Sequence, residues 1–155
     1  MSSLSTLDHV QKVLKTQLSN SPIYALLLQN LTLTSASSSS NTPTITARLP
    51  VETIHVNSKG TLHGTHSACL VDWAAGMAIA AQGAEHSYTG VSTDLSVSYL
   101  GTASLGDVLE VEGRALKVGR TLGVFEVLVW RVREGEERRL VVRGSHTKYL
   151  KRRGE

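Results

Sequence analysis

The sequence predicts a single α+β domain in which an antiparallel sheet packs on one long apolar helix. Residues 57–81 form the only long apolar run with helical periodicity. After that run, apolar and polar side chains alternate in several segments joined by short turns, which is typical of antiparallel strands. The chain has 155 residues, the size of one domain. We expect 1–28 to be a helical segment, 29–150 the core and 151–155 a basic tail.

The central helix is predicted by apolar residues that recur at spacings of three and four from Leu70 to Ile79. Many of these residues are alanines, and small side chains let other elements approach a helix closely. We therefore expect a helix that the rest of the fold surrounds. Gly83 follows as a stop signal.

Two shorter helices are predicted before the central one. Leucine and valine recur at helical spacing over 7–18, which predicts an amphipathic helix capped by Ser5 or Thr6. Residues 22–28 predict a second helix, because proline is favoured in a first helical turn.

Six strands are predicted, two beside the serine-rich loop at 35–42 and four after the central helix. The second of these four should turn Leu109, Val111 and Ala115 toward the core. Residues 117–122 predict a hairpin turn, and the strand after it is apolar on both faces for part of its length, which suits a central position. The predicted strands are 30–35, 44–49, 90–100, a segment starting at Gly106, 121–133 and 140–150.

Charge and cysteine content limit the function. The formal net charge of +3 is small for a nucleic-acid-binding protein. Basic residues concentrate between Arg138 and Arg153, Lys148 among them. We expect a solvated patch there, with binding of nucleic acid or of the phosphates of a small cofactor as the alternatives. The single cysteine, Cys69, suits a reducing compartment. Without a signal-peptide pattern or an apolar run of membrane-spanning length, we expect a cytoplasmic protein, with mitochondria as the alternative.

One acid, Asp72, lies within the apolar helix. A buried carboxylate must be paired, hydrogen-bonded or protonated, because desolvation of a lone charge is unfavourable. Gly60 and Gly64 precede the helix, where backbone N–H groups attract negative charge. An acid and an anion-binding turn are two parts of a hydrolytic site. Gly64 and Asp72 are eight residues apart, about 12 Å along a helix, so they serve one small group only if two subunits pair across a two-fold axis.

The element order and several motifs resemble the hot-dog-fold acyl-CoA thioesterases of the phenylacetate-pathway (PaaI-like) type. The motifs are NSKGTLHG followed by Val71 and Asp72, then GVSTDLSVSYL, KVGRTL and GSHTKYL, and they lie within 50–150. The resemblance implies a curved antiparallel sheet wrapped around the long helix, and dimers that pair into tetramers. It also implies hydrolysis of an acyl- or aryl-CoA thioester to the free acid and CoA, with the site between subunits.

Four residues take catalytic roles under this resemblance. Asp72 is the expected nucleophile, or the general base for water, and the backbone N–H of Gly64 polarises the thioester carbonyl. Asn57 orients the carbonyl or the water, and Ser92 holds the water from the opposite wall. The expected lining of the CoA or acyl channel is His63, Tyr99, Lys117, Val118, Gly119, Arg120, Thr121, Leu122 and Tyr149.

The sequence departs from the family pattern at a few positions. Thr65 replaces a frequent second glycine, Tyr149 replaces a histidine, and two extra residues lie between Asp72 and Ser92. These departures bear on substrate preference more than on the chemistry. Alternation over 90–100 places Val91, Leu95, Val97 and Tyr99 on one face. Ser92 lies on the opposite, polar face, so we expect a bulge or a strand end near Gly90.

Several of these residues also have structural or alternative roles. Asp72 can be a paired structural acid, Gly64 can ease a turn, and Asn57 can cap one. His66, Cys69 and Asp72 recur every three residues, a spacing that suits zinc or a thiol nucleophile paired with His66. We do not expect zinc, because the sequence has no evident second cluster of ligands and Cys69 suits a small core residue. We do not expect the nucleophile, because an apolar helix raises the pKa of a thiol. We expect no cofactor besides the CoA of the substrate.

Two other functions fit the same motifs. One is hydrolysis of acyl chains bound to a carrier protein, and the other is a non-catalytic module that binds acyl-CoA. Asp72 favours catalysis, because a binding module has no need of a buried acid. The expected partners are acyl-CoA and further copies of this chain, without nucleic acid or membrane. The sequence leaves open the acyl length, an aromatic preference, the pathway, and the choice between dimer and tetramer.

Overall fold

A computed structural model describes residues 5–38 and 42–150, so the predicted basic tail and the middle of the serine-rich loop lie outside the described residues. The element order agrees with the prediction. The helices are α1 (Thr6–Asn20), α2 (Pro22–Leu27) and α3 (Gly64–Ala80), with a 3₁₀ turn at Thr53–His55. The strands are β1 (Thr32–Ser37), β2 (Thr44–Pro50), β3 (Val91–Tyr99), β4 (Val108–Val118), β5 (Leu122–Val132) and β6 (Arg139–Tyr149).

The strands described form one six-stranded antiparallel sheet in the order β1-β2-β4-β5-β6-β3. β5 lies between β4 and β6, which confirms its predicted central position. Leu109, Val111 and Ala115 are buried, as the alternation in β4 predicted. β3 pairs with β6 on one side only and forms an edge of the sheet. The expected α+β fold, with a sheet around one long helix, is confirmed.

Small residues let the sheet approach α3, as the alanine-rich sequence of the helix predicted. Leu70, Met77 and Ile79 are fully buried, because the sheet covers one side of the helix and α1 packs on another. Gly113 of β4 lies against the helix backbone, and a Cβ atom there would come 2.9 Å from the carbonyl oxygen of Ala74. The absence of a side chain at this position therefore sets the distance between helix and sheet.

The N-terminal helices are anchored at both ends. Ser5 caps α1, with Asp8 completing a capping box. At the other end, the carbonyl oxygen of Leu27 accepts from Nε2 of His55 at 3.0 Å and from Nε2 of His66 at 3.3 Å. The two imidazoles stack with their centroids 4.3 Å apart. The end of α2 is thereby tied to the first turn of α3.

A β-bulge in β3 corrects one predicted face. The register with β6 shifts between Ser92 and Asp94, so Ser92 aligns with Lys148 on the face that carries Tyr99. The bulge expected near Gly90 is confirmed. The prediction that Val91 shares a face with Tyr99 is wrong, because the extra residue reverses the alternation for residues before it.

Candidate active site

Asp72 receives donors from three elements of the fold. The hydroxyl of Tyr24 on α2 donates to Oδ2 at 2.5 Å. Ser92 on β3 donates to Oδ1 at 3.2 Å, and Nζ of Lys148 on β6 lies 3.5 Å from the same oxygen. The Asp72 side chain is 34% exposed. The acid is therefore held in a fixed orientation while part of it stays accessible to a reactant.

Ser92 connects the acid to a buried histidine. Nε2 of His146 lies 2.8 Å from the hydroxyl oxygen of Ser92. Because the single proton of Ser92 goes to Asp72, its oxygen accepts from the Nε2–H of His146. Burial, together with the charge of Lys148, lowers the pKa of His146 to about 4, so the imidazole is neutral near pH 7. The polar chain runs from imidazole to hydroxyl to carboxylate.

The charges around Asp72 favour its ionised form. Burial raises the pKa of Asp72, but the hydrogen bond from Tyr24 and the charge of Lys148 outweigh it, with smaller contributions from His146 and Ser92. The pKa of Asp72 therefore lies below its ordinary value of 3.8. Burial lowers the pKa of Lys148, and Asp72 opposes this shift. A carboxylate that is ionised at neutral pH can serve as a base or a nucleophile.

Three members of this site were absent from the sequence prediction. Tyr24 lies in α2, and His146 and Lys148 lie in β6. The prediction that Lys148 belongs to a solvated patch is wrong, because the residue is only 4% exposed. The alternation along β6 could have identified His146 and Lys148, since both share the inward face of the strand with the buried Val142. Polar side chains at inward positions indicate a buried polar site.

The turn before α3 carries the second predicted group of residues. The Oδ1 atom of Asn57 accepts from the backbone N–H groups of Lys59 and Thr61, at 2.9 and 3.3 Å, so this oxygen caps the turn. The Nδ2 group of the same amide is a hydrogen-bond donor. His63 is the N-cap residue of α3, and its Nδ1 accepts from Thr65 N–H at 3.0 Å. Gly64 is the first residue of the helix, where a backbone N–H has no partner within the helix.

Tyr99 lies beside this turn at the far end of β3. Its hydroxyl donates to the Gly64 carbonyl oxygen at 3.2 Å, and its ring packs closely on this glycine, since a Cβ atom on Gly64 would come 3.3 Å from it. Tyr99 is 58% exposed. Ser92 and Tyr99 are seven residues apart on one strand, about 23 Å. One chain therefore holds the Asp72 group and the Gly64 group at separate places.

The predicted CoA-binding turn lies near the Asp72 end of the sheet. Gly119 N–H donates to the Leu122 carbonyl at 2.8 Å, which closes the hairpin between β4 and β5. Tyr149 pairs with Leu122 on one side and with Val91 on the other. This rung is next to the one that pairs Ser92 with Lys148. The turn therefore lies toward the same end of the sheet as Ser92 and Lys148, which contact the acid.

The alternatives at His66 and Cys69 receive no support from the geometry. Among the described residues, no group of three or more histidine, cysteine or acidic side chains is arranged to hold a metal ion. Burial raises the pKa of Cys69 to about 12, and the charge of Asp72 adds to this shift. A thiol with that pKa is a poor nucleophile at neutral pH.

Within the described residues, no helix is both long and apolar enough to cross a membrane.

Comparison with known proteins identifies related chains. A family model described as the thioesterase superfamily matches residues 59–138. Acyl-coenzyme A thioesterase 13 of Mus musculus is 33% identical over 129 residues, which cover 83% of this chain and 86% of the mouse protein. The zebrafish thioesterase superfamily member 2 structure is 32% identical with a TM-score of 0.79, covering 96% of this chain and all of the zebrafish chain.

A more distant structure shows the same fold. The E. coli PaaI protein from the phenylacetic acid degradation operon has a TM-score of 0.73 at 15% identity, and the alignment covers 95% of this chain and 97% of PaaI. At this identity the likeness concerns the arrangement of helices and strands. The expected resemblance to the PaaI-like group is confirmed at the level of the fold.

Proposed function

This chain belongs to the thioesterase superfamily, and we propose that it hydrolyses acyl- or aryl-CoA thioesters to the free acid and CoA. The observation that carries the proposal is Asp72, a partly accessible carboxylate on an otherwise buried helix that is held by Tyr24, Ser92 and Lys148. A protein that only bound acyl-CoA would have no use for an ionised acid in this position. The name of the mouse relative, an acyl-coenzyme A thioesterase, supports the same reaction.

Asp72 can act in this reaction in either of two ways, as a general base or as a nucleophile. As a base, the carboxylate takes a proton from water while the water oxygen attacks the thioester carbonyl carbon. The C–S bond then breaks, and CoA leaves as a thiolate that takes up the proton. As a nucleophile, the carboxylate oxygen attacks the same carbon, CoA leaves, and water hydrolyses the resulting anhydride. Ser92 orients the carboxylate in both forms, and the reaction requires no cofactor beyond CoA itself.

The proposed site is shared between two subunits. Gly64 and Asn57 supply donors for the carbonyl oxygen, and an oxyanion needs such donors at about 3 Å. Asp72 is about 12 Å from Gly64 along α3, so the donors come from the partner subunit of a two-fold dimer. The exposed edge strand β3, which carries Ser92 at one end and Tyr99 at the other, is the proposed contact. A dimer of such dimers is the proposed larger assembly.

The nucleotide end of CoA is proposed to rest on the hairpin at 117–122. Lys117 and Arg120 supply positive charge near the end of the sheet that holds Asp72, and cationic side chains are suited to phosphate groups. His63, Tyr99 and Tyr149 are proposed to line the remaining channel. The proposed location is the cytoplasm, because Cys69 is unpaired, with mitochondria as the alternative.

A panel of acyl- and aryl-CoA thioesters, monitored with a reagent for free thiols, tests the reaction. Wild-type protein should release CoA from at least one class of substrate, and Asp72→Asn should not. Glu134→Gln is the matched control, because it removes an exposed carboxylate outside the site. Absence of CoA release across the panel, with a folded protein, would reject the proposed activity.

A further inference from the structure

The two oxygens of Asp72 have different surroundings. Oδ1 has Ser92 at 3.2 Å, Lys148 at 3.5 Å and His146 at 3.7 Å. Oδ2 accepts from Tyr24 at 2.5 Å. A carboxylate oxygen has two lone-pair sites, so Ser92 and Lys148 occupy Oδ1 fully, while the Nε2–H of His146 goes to Ser92. Oδ2 retains one site that a reactant can use.

The hydroxyl of Tyr24 belongs to α2, whose C-terminal end is held by two buried histidines. Glu52 N–H donates to Nδ1 of His55 at 3.0 Å, so the proton of this imidazole is on Nε2, which donates to the carbonyl of Leu27. His66 donates to the same carbonyl. The neighbouring Leu28 is fully buried. These contacts hold α2 and direct Tyr24 toward the acid.

Other elements bring only a few titratable or charged groups to Asp72. They are Tyr24 from α2 and His146 and Lys148 from β6, while Cys69 lies one turn away on α3 itself. Burial raises the pKa of Tyr24, and its hydrogen bond to Asp72 adds to this, so the phenol remains a donor over the working pH range. The thiol of Cys69 also stays protonated. Of the neighbouring neutral donors, Tyr24 is the one that contacts Oδ2.

We propose that Tyr24 is a positioning residue for the hydrolysis, and that it orients Asp72 so that the remaining lone pair of Oδ2 faces the reactant. The inference rests on the proposed function, because Asp72 is taken as the reacting acid. Tyr24 also keeps the acid ionised despite its burial, since a donor to a carboxylate stabilises the charged form. Loss of the hydroxyl therefore has two effects: a less ordered Oδ2 and a higher pKa of Asp72.

Tyr24→Phe tests the proposal, because it removes the hydroxyl and keeps the ring. The pH profile of kcat/KM should move its acid limb to higher pH, so that the variant loses several-fold more activity at about pH 5 than at about pH 8. kcat should fall while KM changes little. Tyr88→Phe is the matched control, since Tyr88 is also a partly buried tyrosine packed on the core. It should leave the profile unchanged. An acid limb that stays at its wild-type position, with any loss of activity uniform across pH, would show that the hydroxyl does not act on Asp72 and would overturn the proposal.

A measurement without substrate separates this inference from the proposed function. The carboxyl ¹³C signal of Asp72, assigned as the signal missing from Asp72→Asn, can be followed against pH in both proteins. In Tyr24→Phe the titration should move to higher pH, whether or not acyl-CoA is the substrate. An unchanged titration would overturn the role of Tyr24 and leave the proposed hydrolysis standing. Failure of wild-type protein to release CoA would instead remove the function.

Discussion

The middle and the N-terminus of α3 differ in how far one chain completes the part of the site that each carries. At Asp72, in the middle of the helix, side chains from α2, β3 and β6 surround the acid with donors. At Gly64, the N-terminus of the helix follows the turn of Asn57, and the exposed Tyr99 of the edge strand β3 contacts it. The first part is built by tertiary contacts within the chain, and the second is partly exposed. Under the proposed function, these two parts form whole sites when two copies of the helix pair antiparallel.

The largest effect is expected at the acid. Asp72→Asn keeps the shape of the side chain but removes the charge that accepts a proton or attacks carbon. We expect kcat to fall roughly 10²- to 10⁴-fold, with the oligomeric state unchanged. Steady-state kinetics with the best CoA substrate, alongside size-exclusion chromatography, provides the measurement. Activity within a few-fold of wild type would show that Asp72 has a structural role and takes no part in the reaction.

His66, a buried histidine in the first turn of α3, should make the free energy of unfolding depend on pH. Burial, with His55 nearby, lowers the pKa of His66 from 6.5 to about 4, and its Nδ1 has no partner among the described residues. The folded protein thus binds this proton more weakly than the unfolded chain. The stability from neutral His66 is complete above about pH 6.5 and is lost as pH falls toward 4, on the order of 3 kcal/mol.

Urea unfolding of wild type and His66→Gln between about pH 7 and pH 4.5 checks this expectation. The variant lacks the titrating group, so its free energy of unfolding should change less over the range. Parallel curves for the two proteins would mean that His66 does not contribute to acid sensitivity.

A smaller effect is expected at the hairpin that follows β4. Arg120→Ala should raise KM for acyl-CoA several-fold and leave kcat nearly unchanged, because it removes binding shared by substrate and transition state. Pantetheine thioesters lack the nucleotide and serve as the control substrate, for which the KM of the variant should equal that of wild type. Equal KM values of wild type for the two substrates would remove the hairpin from CoA binding.

The order of the helices and strands follows from the local sequence, whereas the contacts around Asp72 do not. Helices and strands depend on local periodicity, so their order and most faces were predictable. Asp72, Gly64 and Ser92 lie in recognisable motifs. Tyr24, by contrast, is 48 residues from Asp72, and Lys148 is 76 residues from it. Contacts over such separations depend on the packing of α2 and on the register of β6, which no local pattern specifies.

The face of Val91 shows the same limit on a smaller scale. Alternation predicts side-chain direction only while the ladder is regular, and one extra residue at the bulge reverses it. The misplacement of Ser92 relative to Tyr99 in the regular pattern was itself the sign of a bulge. A conflict between a motif and a strand pattern therefore carried structural information.

The division of the site between two chains is tested most directly by mixing two inactive variants. Asn57→Ala disables the donor half and Asp72→Ala the acid half, so each homodimer should be inactive. Mixing through unfolding and reassembly makes about half of the dimers mixed, and each mixed dimer has one intact site of two. Activity should therefore return to roughly a quarter of the wild-type value. Persistent inactivity after verified subunit exchange would contradict the shared site. The four proposed catalytic residues would then act within one chain; they are Asn57, Gly64, Asp72 and Ser92.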